Sequence, residues 1–127
     1  MTNREIYEAA LALIAEDQDL CEDYEARAGH LIGMFVGECR DTDGYYRLSR
    51  GVGGVSEAAE ALDLDDVFPL SDRFYSAGAY FVAAMLVEVE NPELCDHLFA
   101  HYAREISSIV QGVGGMSESI RDVYGDY

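Results

Sequence analysis

Phe74-Tyr75-Ser76-Ala77-Gly78-Ala79-Tyr80-Phe81-Val82-Ala83-Ala84-Met85-Leu86-Val87 is the stretch whose reading decides the fold. It carries no charged residue, and its apolar side chains go all round a helical wheel instead of forming one stripe. A helix of that kind belongs at the buried centre of a bundle. Its 14 residues fall short of the ~20 that a membrane span requires. Ser71 is placed to begin it, with Asp72 in the first turn where a carboxylate complements the helix dipole.

Periodicity predicts three more long helices around it. Residues 3–15 carry Ile6, Ala10, Leu13 and Ile14 at helical spacing behind a Thr2/Glu5 capping box. Residues 24–39 align Tyr24, Ala28, Leu31, Ile32, Phe35 and Cys39 on one face. Residues 92–111 start with Asn91 as N-cap and Pro92 as first helical residue, present Leu94, Leu98, Tyr102, Ile106 and Ile109, and stop at Gly112. The connections read as an acidic turn at 16–23, a long exposed loop at 41–54, a short helix over 57–62 capped by Ser56, and a solvated acidic linker ending at Pro69. The expected architecture is all-α. One domain spans 1–127 as a small bundle of about four main helices plus a short one, with a long acidic loop and a flexible tail at 112–127.

Gly29, Gly33 and Gly37 recur at i, i+4 beside the apolar face of the second helix. Each costs a helix roughly 1 kcal/mol relative to Ala, so their alignment marks a helix-packing or subunit-interface ridge. Ala77, Gly78, Ala79, Ala83 and Ala84 offer the natural partner surface.

Composition excludes several activities. Of 127 residues, 25 are Asp or Glu and 8 are basic, a formal charge of -17, and every basic residue is Arg. No Lys is present to form a Schiff base. A surface so acidic repels phosphates, which argues against tight nucleic-acid binding and against an anionic membrane. Nine Tyr and five Phe supply the apolar area that a disordered acidic chain lacks. Cys21, Cys39 and Cys95 are odd in number and never in C-x-x-C spacing, so they read as buried thiols in a reducing, intracellular compartment. The segment before residue 9 has no apolar signal-peptide core, which agrees with that compartment.

Few motifs suggest chemistry. Glu93, His97, His101 and Glu105 form an i, i+4 ridge where imidazoles and carboxylates could meet a divalent ion. That ridge is the polar face of its helix with Arg104 beside it, and a solvated face is the better reading. His30, between Gly29 and Leu31, reads as a packing or capping residue. Asp41-Thr42-Asp43-Gly44 fails as a calcium loop, because that register puts Cys39 and Arg50 where oxygen ligands are required. Asp63, Asp65 and Asp66 have nothing nearby to desolvate one of them for acid-base work. Gly51-Val52-Gly53-Gly54-Val55-Ser56-Glu57 nearly repeats as Gly112-Val113-Gly114-Gly115-Met116-Ser117-Glu118, and reads as hinge rather than anion cradle. No catalytic, cofactor or metal site is predicted, and the expectation is a protein that is not an enzyme.

Four segments carry a resemblance. Residues 4–14 (Arg-Glu-Ile-Tyr-Glu-Ala-Ala-Leu-Ala-Leu-Ile), the junction Phe68-Pro69-Leu70-Ser71-Asp72-Arg73-Phe74, the run 79–87 and Phe99-Ala100-His101-Tyr102-Ala103 together resemble the small helical head-tail connector, or neck adaptor, proteins of tailed bacteriophages and prophages. The likeness covers most of residues 3–110. It implies an adaptor whose copies self-associate into a ring, with portal and tail completion proteins as partners. It further implies residence in the bacterial cytoplasm, or at the virion neck when the prophage is active. Net negative charge suits a channel through which DNA slides without sticking. The alternatives are an acidic inhibitor or DNA mimic that occupies a basic cleft and, third, a carboxylate-histidine metal enzyme.

Overall fold

The computed structural model describes residues 1–16, 20, 22–49, 51 and 62–124, with side chains at all of these except 46, 49 and 113–124. Four helices account for most of it: α1 (Asn3–Ile14), α2 (Asp23–Ser49), α3 (Tyr75–Val87) and α4 (Pro92–Tyr124), with a single 3-10 turn at Asp72–Phe74. The all-α bundle expected from the sequence is what forms. α3 packs against each of the other three, which touch one another far less. Its Ala77, Gly78, Ala79, Phe81, Val82, Ala83, Ala84, Leu86 and Val87 are buried, the outcome that an all-round apolar helix demands.

The core is centred on Phe35 of α2. Rings of Phe68, Phe74, Phe81 and Tyr102 stand 6.4, 6.4, 5.8 and 6.1 Å from it. Gly78 makes room: a Cβ there would sit 3.1 Å from Phe35 Cε2 and 3.5 Å from Ile6 Cδ1. A side chain at that point would therefore press on the Phe35 ring of α2, while Ile6 of α1 would stay at ordinary contact distance.

Segment 62–70 is not the solvated linker its aspartates suggest. Leu64, Phe68 and Leu70 are buried in the core, while Asp63, Asp65 and Asp66 stay exposed. Its backbone also seals the start of α1. The Asn3 and Arg4 amides donate to the carbonyls of Asp66 and Leu64 at 3.0 and 2.7 Å, and Asn3 Nδ2 donates to the Asp63 carbonyl at 2.8 Å. These take the place of the expected capping box, and the Thr2 side chain makes no cap hydrogen bond. Helix N-termini need acceptors, and here a distant strap of main chain supplies them.

α2 runs ten residues beyond its predicted end at 39, turning most of the expected 41–54 loop into helix. The reason lies at Asp43, which is fully buried. Its Oδ2 stands 2.8 Å from Arg47 Nε one helical turn on, and its Oδ1 accepts from the Ser71 amide at 3.1 Å and the Ser71 hydroxyl at 2.5 Å. Arg47 in turn donates to the Pro69 carbonyl at 2.6 Å. Ser71 is thus used as an anchor for α2 and makes no side-chain cap to the turn that follows it. Gly51, at φ +76°, has its amide on the Leu48 carbonyl and marks the chain's exit from the helix.

α4 starts as predicted, with the Leu94 amide bonded to Asn91 Oδ1 at 3.2 Å. It does not stop at Gly112. The helical backbone continues to Tyr124 through Gly112, Gly114 and Gly115, since glycine weakens a helix by about 1 kcal/mol without forbidding it. The expected short helix at 57–62 falls, apart from Leu62, outside the described residues.

Two substitutions separate the glycines. Gly37→Ala meets nothing within 4 Å and should raise stability by about 0.5–1 kcal/mol, while a Cβ at Gly29 collides with the Leu62 carbonyl oxygen and should lower it; urea midpoints measure both. Asp43→Ala should cost about 3–5 kcal/mol, because it strands the Ser71 amide and leaves the Arg47 guanidinium without its carboxylate. A loss of helical circular dichroism would accompany it.

Candidate functional site

The three glycines singled out from the sequence occupy three different surroundings. Gly29 is pressed against the backbone of Leu62, whose amide donates to the Gly29 carbonyl at 3.1 Å. Gly33 is buried, and Gly37 is exposed with open space where a Cβ would be. The small residues of α3 do not receive this ridge at Gly29. Gly78 instead receives the Phe35 ring.

The exposed face of α2 around Gly37 continues into uncovered apolar residues. Met34 is 49 % exposed, Tyr45 67 % and Leu48 69 %. Asp41, Gly44, Tyr45 and Leu48 line a shallow groove of about 420 Å3 on the last turns of the helix. Large apolar side chains left in water at one end of a molecule mark a contact surface more often than an idle one.

The histidine ridge is organised by stacking. His101 lies against Tyr80 of α3 with ring centres 5.0 Å apart and planes 9° from parallel, and the His97 ring stands across it at 4.9 Å. Arg104 Nη2 is 3.3 Å from His101 Nδ1. Among the described residues no group of three or more His, Cys, Asp or Glu side chains converges as a metal centre would. His30, expected to pack or cap, is exposed. The aspartates of the strap serve structure: Asp63 Oδ1 accepts from the Asp65 amide at 2.9 Å, and Asp65 and Glu25 share the Arg4 guanidinium at 3.0 and 3.1 Å. That arginine ties α1, α2 and the strap together.

Where α2 meets α4, the Tyr102 hydroxyl donates to Glu38 Oε2 at 3.0 Å beside the buried Cys39. Burial, reinforced by the Glu38 charge, pushes the Cys39 thiol up to about 12, and burial raises Tyr102 as well. Cys39 is therefore a thiol at neutral pH and no nucleophile. Cys95 is also buried and free, with its thiol raised by burial and by the charges of Glu88 and Asp96. Cys21 lies outside the described residues. The leading glycines of the two near-repeats, Gly51 and Gly112, differ in conformation. Gly51 leaves α2 at positive φ, whereas Gly112 is inside α4 with the Arg73 guanidinium 3.0 Å from where its Cβ would be.

Sequence reasoning missed the Asp43, Arg47 and Ser71 cluster. Its one available signal was the Asp43 to Arg47 spacing of four, which fits a helix and not a loop. Among the described residues no helix is long and apolar enough to cross a membrane.

The raised thiol gives a test by pH. Cys39 titrates near 9 in the unfolded chain and near 12 in the folded one, so the unfolded state loses its proton first. Stability should be independent of this group below pH 9 and fall between pH 9 and 12, by up to about 1.4 kcal/mol per pH unit for one group. Tyr102 and Tyr7, also raised by burial, add to the loss in the same direction. Urea midpoints across that range should decline less steeply for Cys39→Val than for the parent chain. Comparison with protein-family models, with curated proteins and with solved structures finds no match for this chain.

Proposed function

We propose that the chain is a structural adaptor, a head-tail connector subunit of a tailed phage or prophage that assembles as a ring and joins portal to tail. The observation that supports this reading is the inequality of the helices. α2 has 27 residues and α4 has 33, about 40 and 50 Å long, whereas α1 and α3 have 12 and 13 and reach only about 20 Å. Beyond the turn of α2 that Asp43 anchors, a four-helix domain has little need of helices twice the length of their partners. An adaptor does, since the overrunning length reaches its neighbours. Tyr45 and Leu48, exposed on the overrunning end of α2, are the apolar contacts such a neighbour would cover.

In a ring the acidic surface repels the DNA passing through it, so that no counterion-release binding traps the duplex. A ring whose channel is walled by the arginines would contradict that part of the reading. As an acidic inhibitor or DNA mimic the chain would instead stay a monomer or dimer and bind a basic cleft with strong salt dependence.

Light scattering and negative-stain imaging, alone and with a portal protein, distinguish these. The expected result is concentration-dependent rings or a portal-bound ring. A particle that stays monomeric at every concentration and does not bind portal refutes the proposal. Tyr45→Asp with Leu48→Asp should abolish assembly and leave the helical circular dichroism of the subunit unchanged.

A further inference from the structure

A cavity of about 220 Å3 opens between α2 and α4 beside the Tyr102 to Glu38 hydrogen bond. Phe74, Ile106 and Ile109 give it apolar walls, and Phe74 and Ile109 belong to the buried core. Glu38, Thr42 and Tyr102 bring the polar groups. Among the described lining residues Glu38 carries the single charge, and none of them is basic. An apolar pocket with a few converging polar groups is the form that small-ligand sites take.

We infer that this cavity binds a small organic cation, an aromatic or branched aliphatic body carrying an ammonium group. The body removes the Phe74, Ile106 and Ile109 walls from water, and the ammonium faces Glu38. Tyr102 occupies Glu38 Oε2 as donor, which leaves Oε1 to accept from the ligand. An anionic ligand would meet the Glu38 carboxylate and, among the described lining residues, no basic group. At an interior packing density of about 0.75 the space takes a body of indole size. A formal charge of -17 further raises the concentration of cations at the surface. The ligand chemistry is shared by a free amine and by a protein segment that presents an aromatic residue next to a basic one. The inference does not rest on the connector reading and stands or falls separately.

The chain contains no Trp, so an indole probe reports through its own fluorescence. Tryptamine, 3-methylindole and indole-3-acetate carry the same ring with a positive, neutral and negative group. Tryptamine should bind saturably at one site, about tenfold tighter than 3-methylindole, with indole-3-acetate weaker still. Glu38→Gln should bring tryptamine down to the level of 3-methylindole. Ile106→Phe, which fills the cavity, should remove both, and Thr42→Phe at the polar edge serves the same purpose where the first variant misfolds. Acetyl-Lys-Trp-Lys-amide binding tenfold tighter than tryptamine assigns the ligand to a protein segment, and equal or weaker binding assigns it to a free amine. Tryptamine uptake unchanged by Glu38→Gln and by the filling variants is mere condensation on an acidic surface and overturns the proposal. So does an absence of saturable binding, or indole-3-acetate that binds as well as tryptamine.

Discussion

The Phe35 ring closes on the bare backbone of Gly78, and the rings around it come from different parts of the chain: Phe68 from the strap, Phe74 from the 3-10 turn, Phe81 from α3 and Tyr102 from α4. Ile6 of α1 reaches the same glycine. Each aromatic pair is worth about 0.5–1.5 kcal/mol beyond the area it buries, and the five-ring cluster makes those terms interdependent. No element can be displaced without loosening the seat of the others. The position and tilt of α2 and α4 follow from this contact, and with them the cavity beside Tyr102.

That α3 would be central was legible, because fourteen uncharged residues with no polar stripe can only be buried. Asn91 and Pro92 also announced the start of their helix, since a cap is a local device read from adjacent residues. Two local signals are outweighed by distant partners. Thr2 and Glu5 form a local capping signal, but the α1 amides found carbonyls some sixty residues away, and a tertiary partner overrides a local one. Asp41-Thr42-Asp43-Gly44 looks like a turn until Asp43 is seen to hold Ser71 and Arg47 at once. Gly112 carries a stop signal that the surrounding helix outweighs. Of the glycine ridge, the spacing was legible but the partners were not: whether a bare helix surface meets a main chain, a ring or open space depends on what folds against it.

Charge is segregated in a way that composition alone concealed. Among the described residues Asp43 is the one acid taken fully inside, and it is held by a guanidinium, an amide and a hydroxyl. The remaining described acids lie at or near the surface, where their mutual repulsion is screened by salt. Among the described residues the desolvation cost of a carboxylate is thus confined to one site, where a guanidinium, an amide and a hydroxyl offset it, while the exterior stays strongly negative.

The strap that completes the start of α1 has a consequence for the order in which the structure is made. Asn3 and Asp63 are 60 residues apart, so α1 leaves the ribosome seconds before its acceptors exist, at ordinary synthesis rates of about 5–20 residues per second. Until they arrive its first amides are open to water and its apolar face has no α3 to cover it. Of the four helices described, the first to be synthesised is thus among the last to be finished. During that interval the nascent chain offers an unpaired amphipathic segment of the kind that chaperones bind.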